Sequence, residues 1–146
     1  MKWKVAWIGK TREPAIQSLT DVYLKRISRY VEVEGVALKD EAALLRLCDR
    51  GARPRHTLVL LDARGKQWSS EELARYIREC QDSHPQPLLF AVGPADGFSQ
   101  ETRHGATLVL SLGKMTLAHE LARVVLLEQL YRAFTILKRH PYHLGH

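Results

Sequence analysis

Five short apolar runs rich in β-branched residues set the strongest limit on what this chain can fold into. They are "KVAWIG" (4–9), "YVEVEGVAL" (30–38), "HTLVLLD" (56–62), "PLLFAVG" (87–93) and "ATLVLSL" (106–112). Each has the length and composition of a strand, and helical spacing of apolar residues fills the stretches between them. Strand and helix in alternation predict a parallel sheet with helices on both faces, because parallel strands need long crossovers and bury both sides. The chain has 146 residues and shows no linker, repeat or low-complexity segment. That predicts one α/β domain over 1–146.

The helices carry their own signals. The first begins near Pro14, a residue suited to a first helical turn, and Ile16, Leu19, Val22 and Tyr23 are expected on its inward face. "DEAALLRLCDRG" reads as a short second helix that stops at Gly51. In "SSEEL", Ser69 and Glu72 form a capping box for the third, and Ser99 caps a short fourth ending at Gly105. The last helix is expected from about Thr116 to Lys138. Its apolar residues, among them Leu117, Leu121, Val124, Leu127, Leu130 and Phe134, cover far more than one stripe. A helix apolar nearly all round needs cover on nearly all sides, which predicts a second copy packed against it in a two-fold homodimer.

Charge and special residues narrow the function classes. The formal net charge is +6, and six Lys/Arg against two acids from Arg103 onward supply +4 of it. A basic end suits a polyanion. Cys48 and Cys80 lack metal-ligand spacing and read as reduced thiols. No run is long enough for a bilayer span or a signal peptide, so a cytoplasmic protein is expected. "GKT" at 9–11 fails as a phosphate-binding loop, since position 4, where that motif needs glycine, is Lys4. The closing "HPYHLGH" fails as a zinc site: Pro141 separates its histidines from the helix, and no cysteine or carboxylate completes a ligand set.

Three loops remain, each after a predicted strand: "LLDARGKQW", "AVGPADGFS" and "SLGKMTLAHE". Ligands of parallel sheets bind outside the carboxyl ends of the strands. Gly93, Gly97 and Gly113 allow close backbone approach there.

The stretches "LDARGKQWSSEELA", "VGPADGFS", "LSLGKMTLAHELARVVLLEQLYRAFTI" and "HPYH" closely resemble the RlmH family, the ribosomal RNA large subunit methyltransferases H. The resemblance covers residues 56–146 with specific motifs and 1–55 loosely. It implies the SPOUT (alpha/beta knot) methyltransferase fold with a C-terminal trefoil knot, S-adenosyl-L-methionine as methyl donor, and a homodimer. The implied substrate is N3 of a pseudouridine in 23S rRNA of the assembled ribosome. Carried over by resemblance, the cofactor positions are Leu61, Gly93, Leu112, Gly113, Lys114, Met115, Thr116 and Leu117. The residues placed near the target base are His119, Arg123, Tyr142 and His143.

Each of these residue types suits the chemistry. Uracil N3 carries a proton at neutral pH, so methyl transfer needs a base, and His143 is the first choice. Arg123 would stabilise charge on a base carbonyl or grip a phosphate. Tyr142 would stack on the base, or alternatively plug the cofactor pocket, with the tail roofing the three loops. His119 stands at a helix start with or without a chemical role. The chain departs from the family at Pro94, which removes a backbone donor, and between Gly35 and Arg55, which is short. Three residues, Leu144 to His146, follow the Tyr-His pair. Two other functions fit the same sequence, a catalytically inactive basic RNA-binding dimer and a SPOUT enzyme acting on another RNA such as tRNA.

Overall fold

The computed structural model describes residues 2–94 and 96–143, with the side chain of His143 outside that description. Five strands form one parallel sheet: β1 (Trp3–Ile8), β2 (Val33–Leu38), β3 (Thr57–Gln67), β4 (Leu88–Val92) and β5 (Leu108–Ser111), in the order β2-β1-β4-β3-β5. The helices are α1 (Pro14–Ile27), α2 (Glu41–Arg46), α3 (Ser70–Ser83), α4 (Gln100–Gly105) and α5 (His119–Leu137), followed by a 3-10 turn at Pro141–His143.

Strand order fixes which helix lies on which face. The steps β1 to β2 and β3 to β4 run in one direction across the sheet, while β2 to β3 and β4 to β5 run in the other. Right-handed crossovers therefore put α1 and α3 on one face and α2 and α4 on the opposite one. Two apolar clusters agree. Ile27, Ile77, Phe90, Leu127 and Phe134 pack on the side of α1, α3 and α5, and Leu44, Leu60, Leu89 and Phe98 pack on the other.

The Ser69–Glu72 capping box and the Ser99 cap appear as the sequence predicts. Ser69 Oγ accepts from Glu72 N–H while the Glu72 carboxylate accepts from Ser69 N–H, and Ser99 Oγ accepts from Thr102 N–H.

Four expectations need correction. The third strand, expected to end at Asp62 and give way to a loop, runs on to Gln67 past a register shift between Leu61 and Lys66. The inward face of α1 is Ile16, Thr20 and Ile27, and Leu19 and Val22 are exposed at 42% and 43%. Thr20 turns inward because its hydroxyl has buried polar partners, which an apolar-spacing argument does not see. The helix α2 stops at Arg46, and the chain reaches Gly51 through turns, so Cys48 lies past it. The last helix starts at His119, three residues later than the apolar pattern suggests.

Two features of α5 bear on the site. Arg123 is 1% exposed; its guanidinium lies 3.9 Å from the Trp7 ring centroid and donates to Thr11 Oγ1 at 2.8 Å. Glu120, one turn earlier, accepts from the backbone N–H groups of Arg12 and Glu13. Together they pin the loop after β1 to the start of α5.

Candidate functional site

β4, β3 and β5 stand side by side, so residues 62–65, which bulge out of β3, meet the loops that leave β4 and β5 at one edge of the sheet. Between them is a cavity of about 330 Å³. Its walls include Leu61 from β3, Gly93 after β4, and Leu112, Gly113, Met115, Thr116 and Leu117 after β5, with His119 and Ala122 from α5. The structure thus brings together seven of the eight residues carried over as cofactor positions, together with His119. Lys114 is exposed and does not line the cavity.

Local geometry holds the walls open. Pro94 lacks an N–H, but its carbonyl accepts from Gly97 N–H at 2.9 Å and closes a tight turn, with Gly97 at φ +81°. A Cβ on Gly93 would come within 2.8 Å of the buried Phe98 ring. After β5, Ser111 Oγ donates to Gly113 O and accepts from Gly113 N–H, and Gly113 sits at φ +138° with open space beside it.

Sequence reasoning missed a pair at the base of the cavity. The Asp62 side chain is 2% exposed and accepts from Arg64 Nε at 2.9 Å, Arg64 Nη2 at 3.0 Å and Arg64 N–H at 3.0 Å. Arg64 Nη2 also donates to Phe98 O, and Asp62 accepts from Phe98 N–H. The pair ties the β3 loop to the β4 loop. The Arg64 guanidinium holds the Asp62 carboxyl down to about 2 against the opposing effect of burial. A legible signal existed: aspartate at a strand end, two residues before arginine, is the spacing for a side chain that accepts from the backbone two residues on.

Arg123 and Tyr142 lie elsewhere. Arg123 is buried against Trp7, beneath the loop after β1. Tyr142 packs on the far half of α5: its ring centroid is 4.7 Å from that of Tyr131, and its hydroxyl donates to Glu128 at 2.8 Å. Burial and the nearby Glu128 carboxylate raise its pKa above the usual phenol value. From Glu120 to Tyr131 is roughly 16 Å along the helix at 1.5 Å per residue. The expectation that the tail roofs the three loops of its own chain is therefore corrected, because Pro141 turns the tail back onto α5 instead. His143 has its backbone in this final turn, and its side chain lies outside the described residues, as do residues 144–146.

Large apolar side chains crowd the rim. Met115 is 86% exposed, Leu112 and Leu117 of the same lining are exposed with it, and Leu121 is exposed in the first turn of α5. Among the described residues no cluster of histidine, cysteine and carboxylates could hold a metal ion, and no helix is long and apolar enough to cross a membrane.

A family model described as predicted SPOUT methyltransferase matches residues 1–143. The chain is similar to the ribosomal RNA large subunit methyltransferase H of Koribacter versatilis, with 61% identity over the full length of both chains. It is similar to the protein of the same name from Geobacter sulfurreducens, with 44% identity over 98% of this chain and 99% of the other. Among solved structures, a probable methylase family protein from Haemophilus influenzae aligns with a TM-score of 0.59 at 13% identity, over 97% of this chain and 68% of that one. The SpoU methyltransferase AviRb from Streptomyces viridochromogenes, solved with the cofactor AdoMet, aligns with a TM-score of 0.51 at 13% identity, over 88% of this chain and 56% of that one. These two likenesses concern the fold.

Proposed function

The chain belongs to the SPOUT methyltransferase family, in its ribosomal RNA large subunit methyltransferase H group, and from that premise we propose that it methylates N3 of a pseudouridine in 23S rRNA of the assembled ribosome, with S-adenosyl-L-methionine as donor. The observation that carries the reading is the convergence of the β3 bulge and the loops after β4 and β5 on one cavity. In this reading residues 1–146 form a single methyltransferase domain with a C-terminal trefoil knot, working in the cytoplasm where ribosomes are.

The cavity suits the donor on its own features. Its volume falls in the range of small-molecule sites, its lining joins apolar residues such as Leu61 and Val92 to polar ones such as Asp62 and Thr116, and Gly113 has open space beside it. When bound, S-adenosyl-L-methionine supplies an electrophilic methyl group on a sulfonium. Leu61, Leu112, Met115 and Leu117 would form its apolar walls, and backbone groups at Gly93, Gly113 and Thr116 would orient it. Lys114, outside the wall, would face the RNA.

The target base must lose its N3 proton as the N–C bond forms. His119 lines the cavity from the start of α5 and would hold the base from the same chain. Tyr142, packed on the far half of α5 in its own chain, and His143 after it would approach from a second copy, with His143 as base and Tyr142 stacking on the ring. The exposed Leu112, Met115, Leu117 and Leu121 are the surface such a homodimer would cover. Arg123 would act at a distance, through the pinned loop after β1.

Methyl transfer from radiolabelled S-adenosyl-L-methionine tests the proposal on 70S ribosomes, naked 23S rRNA and tRNA. Label on N3 of a 23S pseudouridine in ribosomes is expected. Label confined to tRNA would replace the substrate, and donor binding absent by calorimetry would favour the inactive RNA-binding dimer.

A further inference from the structure

The helices α1 and α5 run side by side in the same direction. Their starts meet at Thr11, Thr20 and Arg123, and their ends meet where Tyr23 and Tyr30 pack on Tyr131 and Phe134. Lys25, Arg26 and Arg29 close α1, and Lys138 and Arg139 close α5. Lys25, Arg29, Lys138 and Arg139 are exposed, and the half-buried Arg26 guanidinium lies over the rings of Tyr23 and Tyr131. Among the described residues none of the five makes a salt bridge. Glu128, the carboxylate on this half of α5, is already engaged by Arg132 and Tyr142. Asp21 lies one turn before Lys25 and accepts from Gln17, and Glu32 follows the end of α1.

Five cations exceed what two helix ends require, since each C-terminus carries only about half a negative charge. Arg139 adds a second indication. It sits at φ +55°, its N–H bonds to Ile136 O, and His140 N–H bonds to Thr135 O. That is a Schellman stop, whose left-handed position favours glycine. Arginine is held there at a conformational cost of about 1 kcal/mol. Stability alone does not select it.

We propose that the paired carboxyl ends of α1 and α5 form a docking surface for the phosphodiester backbone of RNA. The choice of RNA follows from the substrate class proposed above. Of the exposed large apolar residues only Val22 borders these helix ends, and Leu19, Leu112, Met115, Leu117 and Leu121 lie away from them, so the patch has more charge than apolar surface and suits a phosphate backbone better than a membrane. The length of α5, roughly 28 Å at 1.5 Å per residue, separates the patch from the cavity of the same chain. Contacts to the backbone there would position RNA without reading its sequence.

The test compares the full-length protein with K25Q/R29Q/K138Q/R139Q and with R139G. The probes are a fluorescent mixed-sequence RNA duplex and vesicles of phosphatidylserine and phosphatidylcholine. For the quadruple variant, RNA affinity is expected to fall at least about tenfold and the log–log salt slope to become shallower by about 3, with donor affinity unchanged. R139G is expected to bind RNA more weakly while melting at the same temperature or higher, a combination that a purely structural role for Arg139 does not produce. RNA affinity within twofold of wild type with an unchanged slope overturns the proposal, as does a charge dependence seen only with vesicles. If the wild-type protein methylates no ribosomal RNA yet the duplex results hold, the substrate reading fails and the docking surface stands. If ribosome methylation is intact in the quadruple variant at limiting ribosome and its duplex affinity is unchanged, the reverse applies.

Discussion

Gly65→Ala is expected to cost the fold about 2–4 kcal/mol, read as a lower midpoint in urea with an unchanged slope. The reason is a backbone crossing. Leu110 of β5 pairs with Leu61 and again with Lys66, so residues 62–65 loop out of β3 before the strand rejoins its neighbour. At the point of return, a Cβ on Gly65 would lie 2.6 Å from the carbonyl carbon and oxygen of Val109 and 2.7 Å from the carbonyl carbon of Leu110. These are main-chain atoms of a paired strand, and no flexible side chain can move aside. Relief requires β3 and β5 to separate at the base of the cavity, so donor affinity should fall as well. Gly51→Ala is the control: nothing lies within 4 Å of its Cβ, and the change should be neutral or slightly stabilising. A Gly65→Ala protein within about 0.5 kcal/mol of wild type would show that the crossing is not tight.

The second expectation concerns where the tail works. Gly93→Ala damages the cavity, because the added carbon meets the buried Phe98 ring at 2.8 Å. His143→Ala leaves the cavity intact and removes the proposed base, with an expected loss of roughly 10²–10⁴ in turnover. If each site joins the cavity of one chain to the tail of the other, co-expressing the two variants restores activity. Half of the dimers would be mixed, and each would hold one intact site, which gives about a quarter of wild-type turnover. If each site uses its own tail, every site in the mixture carries one defect and turnover stays at the level of the single variants. The position of Tyr142, packed on Tyr131 and Glu128 at the far half of α5, favours the first outcome.

The sequence carried most of the fold because local chemistry and global topology agree. Apolar runs rich in β-branched residues located all five strands, though not the extension of β3 to Gln67, and the Ser69–Glu72 and Ser99 caps located two helix starts to the residue. What it misplaced depends on polar partners distant in the chain. Thr20 displaces Leu19 and Val22 from the inward face of α1 because Arg123, 103 residues away, is buried beside it. The same burial takes Arg123 out of the cavity, since a guanidinium stacked on Trp7 and bonded to Thr11 cannot also reach a substrate there.

The site was legible in the same uneven way. Family motifs marked the glycine turns, and strand order then gathers them at one edge. The tie that the Asp62–Arg64 pair makes between loops is not legible in the sequence, because its partners, the Phe98 backbone groups, belong to another loop. The tail was misjudged for a geometric reason. Apolar periodicity gives the length of α5 but does not say that Pro141 folds Tyr142 back onto Glu128.

A crystal structure of the protein grown with S-adenosyl-L-methionine tests the central claim most directly. The expected result is donor density between Leu61, Gly93 and the segment from Leu112 to Leu117, with the sulfonium methyl facing the mouth beside His119. Density in the neighbouring 280 Å³ hollow lined by Trp68, Leu73 and Gln129, with the strand-end cavity empty, would contradict it.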